Sequence, residues 1–280
     1  MNSKEFGIIS GLISALVFVL MGLFIKRYGD ANTTSEVAAA RAVFVMLVLL
    51  PFCFSDAVKI KTLKNKTLWM RCIFGAVGIA VLIWLLKNTT LTNARIMTFL
   101  MAPFTALIAT YLLKERLSKL QWLGALITIL ACLMPSYGTQ MGITVLSIGI
   151  LGSLSGALAQ VSLRKTVTSE NIKPTTIVFF LALTNLIFCL VYQPNTLHRL
   201  IEQKNLALFF TVGITGLIAQ LTLTWSYMRL NAAIASYLTL TSFIWTLLID
   251  YFALQKTPTP IEVISVIGIM GGIYLLQRKP

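Results

Sequence analysis

Polar and ionisable residues recur at helical spacing in one of the most apolar stretches of the chain. Ser236, Thr239, Phe243, Thr246 and Asp250 follow one another at intervals of three and four residues, which places them on one face of a helix. Such a face could bind a small polar solute. Its aspartate could take part in proton coupling or gating, or lie at a helix interface. Small and hydroxyl residues at this spacing also let membrane helices pack closely, so cavity lining and packing both remain open.

An arginine begins a second stripe, 141 residues upstream. The residues that correspond to the first five are Arg95, Thr98, Ala102, Thr105 and Ala109. An arginine at the centre of a membrane helix costs roughly 2.5–3.5 kcal/mol, and intramembrane ionisable groups face protein or water. The planar guanidinium of Arg95 would suit a carboxylate or a phosphate. Because Arg95 is near the start of its segment, it could instead extend to the lipid headgroups.

Amides and aromatic rings supply further candidates. Gln160 and Gln220 need hydrogen-bond partners in a bilayer, so they are expected to face protein or a cavity. Trp84 and Trp225 occupy positions 141 residues apart and could enclose a planar or amphipathic solute, although Trp and Tyr also favour membrane interfaces. The candidate substrate-binding residues are Arg95, Thr98, Trp84, Gln160, Gln220, Trp225, Tyr237 and Thr239. Asp250 is the candidate residue for coupling or gating.

Several other kinds of site find little support in the sequence. No G-x-x-x-x-G-K-[ST] loop is present, so direct ATP drive within this chain is not expected. The single histidine, His198, falls in a predicted loop, and the four cysteines lack metal-ligand spacing. We therefore expect no metal site, no cofactor and no disulfide framework. The nine acidic residues are dispersed, which does not favour an enzyme.

The elements that must hold these residues are membrane helices. Of the 280 residues, 57% are hydrophobic and 11% are charged, which is too apolar for a chain that covers itself in water. Apolar runs of about 18–22 residues recur, and each could cross a hydrocarbon layer of roughly 30 Å. The sequence predicts an all-α polytopic membrane protein with ten transmembrane helices. The predicted spans are residues 6–25, 35–54, 68–86, 94–113, 120–137, 142–163, 175–192, 206–227, 233–254 and 260–277.

The formal charge of +14 would suit nucleic acid, but its distribution follows membrane topology. With the N-terminus in the cytoplasm, fifteen Lys and Arg residues fall on the inner side and seven on the outer side. This bias predicts two cytoplasmic termini and lipid, not nucleic acid, as the surrounding partner. Arg71 is expected to anchor the inner surface, since its equivalent at an offset of 141 is Val212. Arg41 lies within a span and is expected to be structural.

An internal repeat explains the offset of 141. Without a gap, this offset pairs Gly11 with Gly152, Ser14 with Ser155, Gly75 with Gly216, Trp84 with Trp225, Ala94 with Ala235 and Thr98 with Thr239. The spans superpose in order, which divides the chain into two five-helix halves, 1–140 and 141–280. Because five is odd, the halves must be inverted, as in many secondary transporters. Pro103 corresponds to Ile244, so any kink at Pro103 should occur in one half only.

The sequence resembles the EamA-like branch of the drug/metabolite transporter superfamily. The resemblance rests on the ten-helix pattern, Arg41 in the second helix, Pro103 and Glu115 in the fourth, and Gly124 in the fifth. It implies that each half is an EamA-like repeat of a small-molecule carrier in the inner membrane. It also implies a cavity lined mainly by predicted helices 1, 3, 4, 6, 8 and 9. Ile244 and Lys256 replace the proline and the glutamate in the second half.

We therefore expect a secondary transporter that moves small organic metabolites by alternating access. Amino-acid-like solutes are the leading class, and S-adenosylmethionine or nucleoside-like metabolites are the alternative. A non-transporting membrane assembly protein is the alternative of another class. The expected partners are a small-molecule substrate and membrane lipid, with proton coupling open, in a monomer or a homodimer.

Overall fold

A computed structural model describes residues 3–57, 60–113, 118–134, 142–169, 172–203, 205–230, 232–257 and 259–277. Every regular element within these ranges is a helix. In chain order the helices are α1 (Ser3–Tyr28), α2 (Thr34–Ala57), α3 (Ile60–Leu63), α4 (Lys66–Asn88), α5 (Leu91–Phe99), α6 (Met101–Leu113), α7 (Lys119–Leu133), α8 (Ile143–Ser169), α9 (Pro174–Tyr192), α10 (Thr196–Gln203), α11 (Leu206–Arg229), α12 (Ala232–Phe252) and α13 (Pro260–Gln277).

The apolar segments are long enough for a polytopic membrane protein. Within the described ranges, seven helical spans have the length and hydropathy to cross a bilayer, and α5 with α6 contributes one of them. Lys119–Leu133 and Pro260–Leu275 are shorter apolar helices. Bulky side chains such as Phe52, Val191 and Ile267 are exposed on the outside of the helices, where lipid would cover them. The expected all-helical membrane protein is confirmed, while the number of ten spans stays a prediction.

Side chains define where several helices begin. Asn65 Oδ1 accepts a hydrogen bond from Leu68 N at 2.9 Å at the start of α4. Asn205 Oδ1 accepts one from Leu208 N at 3.0 Å at the start of α11. These bonds satisfy N–H groups that a helix leaves without a partner in its first turn. Reciprocal capping boxes do the same for α7, between Ser118 and Gln121, and for α13, between Thr259 and Glu262.

The fourth predicted span is interrupted near Pro103. Helix α5 ends at Phe99 and α6 begins at Met101, with Leu100 N bonded to Met97 O at 3.3 Å. Proline has no N–H for the carbonyl four residues earlier, here that of Phe99, and its ring crowds that carbonyl. Helix α12 runs without a break through Ile244, the equivalent position. The chain is therefore interrupted next to Pro103 and continuous at Ile244, as expected, while the equivalence of the two positions stays a prediction.

Glycines bring α4 and α8 into close contact. A Cβ added to Gly78 would lie 3.5 Å from the Cα of Gly156, so the two backbones pass close to each other. A Cβ added to Gly152 would lie 2.7 Å from the Cβ of Val81. Small residues allow this approach, which strengthens dispersion contacts between membrane helices. Helix α1 packs against α11, α2 against α9 and α7 against α13.

Gly152→Ala is expected to lower the melting temperature of the detergent-solubilised protein by several degrees. The added methyl group collides with Val81, and overpacking of this kind costs about 1–3 kcal/mol. Gly271→Ala is the matched control, since a Cβ there would have no heavy atom within 4 Å. Thermal unfolding followed by intrinsic fluorescence measures both. Equal melting temperatures for the two variants would contradict the proposed contact.

Candidate functional site

A cavity of about 160 Å³ lies among the long helices. It is lined by residues of α1, α4, α5, α6, α8, α11 and α12, with Ile273 from α13. These are the predicted helices 1, 3, 4, 6, 8 and 9, as the resemblance implied. At roughly 30 Å³ for each water molecule in the liquid, the space holds about five water molecules. It is therefore suited to a small organic molecule.

A cluster of polar side chains joins α4, α8 and α11 at the cavity. Arg71 Nη2 donates a hydrogen bond to Gln220 Oε1 at 3.3 Å. The hydroxyl of Tyr227 donates to Gln160 Oε1. Arg71, Gln160 and Gln220 all line the cavity, and Tyr227 is buried behind Gln160. The cluster offers guanidinium and amide groups to a solute with oxygen acceptors.

The position of Arg71 differs from the sequence-based expectation. An arginine that anchors the inner surface would be exposed, whereas Arg71 is only 5% exposed and lies on the cavity wall. Arg71 is only six residues into α4, and an uncharged Val212 lies at an offset of 141, which together are typical of an arginine at the membrane surface. Gly75 is the sequence feature that could indicate a buried Arg71, because it lies one turn further along α4 and leaves room for the guanidinium.

Arg95 also faces the interior, which excludes the alternative that it extends to lipid headgroups. It is 6% exposed, lines the cavity, and donates from Nη2 to the carbonyl oxygen of Phe18 in α1. Thr98 is beside it on the lining and bonds back to Arg95 O at 2.7 Å. Across the cavity, Thr239 and Ser242 line it from α12. The two stripes identified in the sequence therefore both contribute to one cavity.

The predicted aromatic wall is not part of this lining. Trp84 is half-buried and packs against the hydrophobic core, and Trp225 packs on Phe6 with ring centroids 5.9 Å apart. Among the described side chains, the aromatic ones that line the cavity are Phe18 and Phe99. The side chain of Tyr237 lies outside the described part of the structure.

Asp250 joins two helices and does not line the cavity. It is 2% exposed, and its Oδ2 accepts from Thr92 N at 3.1 Å and from the Thr92 hydroxyl. Thr92 is in the first turn of α5, where backbone N–H groups have no partner within the helix. The carboxylate of Asp250 therefore supplies an acceptor to α5 from α12. This geometry agrees with the interface interpretation of Asp250.

The fold and the cavity indicate a class of membrane protein, and a family model then identifies the family. A bundle of apolar helices around a partly polar cavity is the architecture of a membrane protein that handles small solutes. A model of the EamA-like transporter family matches residues 5–137 and again residues 143–278. The chain belongs to the EamA-like transporter family. Membership makes it a membrane transporter and implies a small-molecule substrate.

The relatives are transporters too. An uncharacterized transporter of Helicobacter pylori strain J99 is 24% identical over 279 residues, which covers 96% of this chain and 92% of that protein. Human solute carrier family 35 member G1 is 28% identical over 125 residues, covering 44% of this chain and 34% of the human protein. A solved crystal structure shares the fold with a TM-score of 0.68 at 14% identity, covering 97% of this chain and 96% of that one.

Thr92→Val is expected to destabilise the protein by about 1–3 kcal/mol, because it removes a donor from a buried carboxylate. Asp250→Asn should cost less in the Thr92→Val background than in the wild type, since the two changes remove one shared interaction. Melting temperatures of the four proteins test this cycle. Thr211→Val is the control, because the Thr211 hydroxyl bonds only to carbonyls of its own helix. Strictly additive shifts would contradict the contact.

Proposed function

We propose that this protein is a secondary transporter that carries small organic metabolites across the inner (plasma) membrane by alternating access. The cavity carries this proposal. Helices from both halves of the chain line it, and guanidinium, amide and hydroxyl groups face it from several sides. A site between two halves can be exposed to either side of a membrane when the halves move relative to each other.

Two inverted five-helix repeats, 1–140 and 141–280, form the transporter and together provide ten transmembrane helices. The family model matches the chain twice, once in each half. The capping boxes of α7 and α13 lie 141 residues apart, at Ser118 and Thr259. The helix pairs also follow the offset of 141, which relates α1 to α8 and α4 to α11. Helix α1 contacts α11, and their counterparts α8 and α4 contact each other. The pairs α2–α9 and α7–α13 each join a helix to its own counterpart. These agreements support repeat boundaries near residue 140.

Amino-acid-like solutes are the leading substrate class. Arginine can bind a carboxylate, and carbonyl or hydroxyl oxygens can accept from an ammonium group. The volume of about 160 Å³ can accommodate a solute of this size, and S-adenosylmethionine or a nucleoside-like metabolite stays the alternative. Trp84 and Trp225, which could have enclosed a planar or amphipathic solute, do not line the cavity. A non-transporting assembly role would not require guanidinium and amide groups on the wall of an internal cavity.

Both termini lie in the cytoplasm in this proposal. Arg71 and Arg95 are buried, and without them fourteen Lys and Arg residues remain on the inner side and six on the outer side. The turn between α1 and α2 is then outside. Lys87 Nζ donates to Gly29 O at 2.5 Å, Lys26 Nζ to Thr89 O at 2.6 Å, and Asn205 Nδ2 to Tyr28 O at 2.8 Å. These bonds hold the outer ends of α1, α4 and α11 together.

Asp250 belongs to this outer end and is proposed as a gating residue. Its contact with Thr92 joins α12 of one half to α5 of the other. Opening of the outer side would separate these helices and expose the carboxylate to water. Proton coupling at Asp250 would also require that the carboxylate becomes exposed to water. A proton gradient imposed in the flux assay distinguishes gating alone from proton coupling.

Labelling of single cysteines tests the topology. His198→Cys on α10 should react with a membrane-impermeant maleimide in intact cells, because this side chain is exposed and lies outside in the proposal. Lys4→Cys, also exposed, should react only after permeabilisation. The native cysteines Cys53, Cys72, Cys132 and Cys189 are buried and provide a low background. Labelling of both positions from the same side would contradict the arrangement.

Solute flux tests the transport function. Purified protein in sealed vesicles should admit a subset of a metabolite mixture, read by mass spectrometry of the vesicle contents. Gln220→Ala should reduce this flux at least about tenfold, because it removes an amide from the lining and leaves Arg71 without its acceptor. Gln255→Asn, on an exposed turn, should leave the flux unchanged. A wild type that admits nothing, together with altered membrane complexes, would favour an assembly protein.

A further inference from the structure

Two arginines are buried next to each other where α2, α4 and α11 meet. Arg41 of α2 is 3% exposed and Arg71 of α4 is 5% exposed. Both reach the same stretch of α11, Arg41 at Gly216 and Arg71 at Gln220. The Nε atoms of both have no hydrogen-bond partner among the described residues, and the bond from Arg71 to Gln220 joins it to a neutral amide. The junction therefore holds two positive charges in the interior.

Glycines on α4 and α11 make room for the two guanidinium groups. A Cβ added to Gly75 would lie 2.8 Å from Arg71 Nη1. A Cβ added to Gly216 would collide with Arg41 Nε and would lie 2.8 Å from its Cδ. Gly216 is one helical turn before Gln220, so α11 contacts both arginines on one face. The missing side chains of Gly75 and Gly216 therefore provide the space that the two arginine side chains occupy.

The buried carboxylates of the described chain are engaged elsewhere. Glu36 accepts from Thr33 N at 2.9 Å and lies 4.0 Å from Arg199. Asp250 accepts from Thr92, and Glu262 accepts from Thr259 N at 2.8 Å. None of the described residues that line the cavity is acidic. Buried charges without a counter-charge are costly, so an anion supplied from outside the chain would be favoured here.

We propose that Arg71, with Arg41 behind it, binds the carboxylate of the transported solute. This inference rests on the proposed transport function and states which residues bind the anionic end of the substrate. Arg71 is the binding residue because its side chain lines the cavity. Arg41 does not line the cavity, and it acts as a positioning residue that adds positive potential behind Arg71. The solute is a small organic acid or an amino acid, and a solute with only positive charge is excluded.

A charge series in vesicles tests this assignment. Three five-carbon probes of matched length are compared: glutarate with two carboxylates, 5-aminopentanoate with one carboxylate and one ammonium, and 1,5-diaminopentane with two ammonium groups. We expect the first two, but not the third, to compete with the solutes that the wild type admits. Arg71→Gln should weaken this competition at least about tenfold, as expected for loss of a charge-assisted bond. Arg71→Lys should retain part of it, because it keeps the charge without the planar fork.

Arg229→Gln is the matched control. Arg229 is exposed at the end of α11, with its guanidinium over the ring of Phe6 at 4.4 Å, and its loss should not alter the competition. Competition by 1,5-diaminopentane, or an unchanged response in Arg71→Gln, would overturn the anion assignment while transport itself stands. A wild type that admits no solute from the mixture would overturn the transport function and the assignment together.

Thermal stability gives a readout that a purely structural arginine would not produce. Without solute, Arg41→Gln and Arg71→Gln should each melt at a higher temperature than the wild type, because each removes an uncompensated buried charge. Glutarate should raise the melting temperature of the wild type and leave that of Arg71→Gln unchanged. Lower melting temperatures for both variants, together with an unchanged response to glutarate, would show that the arginines only support the fold.

Discussion

Burial of positive charge in a low-dielectric interior is the constraint on which much of this structure depends. Arg41, Arg71 and Arg95 all lie within a helical bundle that is covered by apolar side chains. Each needs space and acceptors that an apolar bundle does not ordinarily provide. Glycines supply the space at Gly75 and Gly216, while Gln220 and the Phe18 carbonyl supply acceptors. Arg71 and Arg95 meet these needs at the cavity wall, while Arg41 lies behind Arg71.

Close helix contact and the cavity arise from the same small residues. Gly78, Gly152 and Gly156 let α4 and α8 approach each other, and several of the same glycines line the cavity. The break before Pro103 ends α5 and begins α6, so that one span presents Arg95 and Met101 to the cavity from two short helices. The same residues that stabilise the bundle therefore also leave an open space at its centre.

The helices and their inward faces could be predicted from the sequence, but their neighbours could not. Spacing of three and four residues identified the stripes that contain Arg95, Thr98 and Thr239, because periodicity reports one face of a helix directly. It does not report which helix that face meets. Trp84 and Trp225 occupy equivalent positions and still pack away from the cavity. The sequence predicts a surface position for Arg71, near a helix start, because only the three-dimensional structure places Gln220 of α11 beside it.

The distribution of charge is asymmetric, although the proposed repeats are similar. The three arginines that are buried in the described part of the chain lie before residue 141, and the residues at an offset of 141 are Ala182, Val212 and Ser236. The second half instead contributes the groups that Arg41 and Arg71 contact, Gly216 and Gln220. If the halves move relative to each other, these contacts change with the motion. An anion at Arg71 would then bind the two arrangements with different affinity, and this difference is what allows a solute to shift their populations.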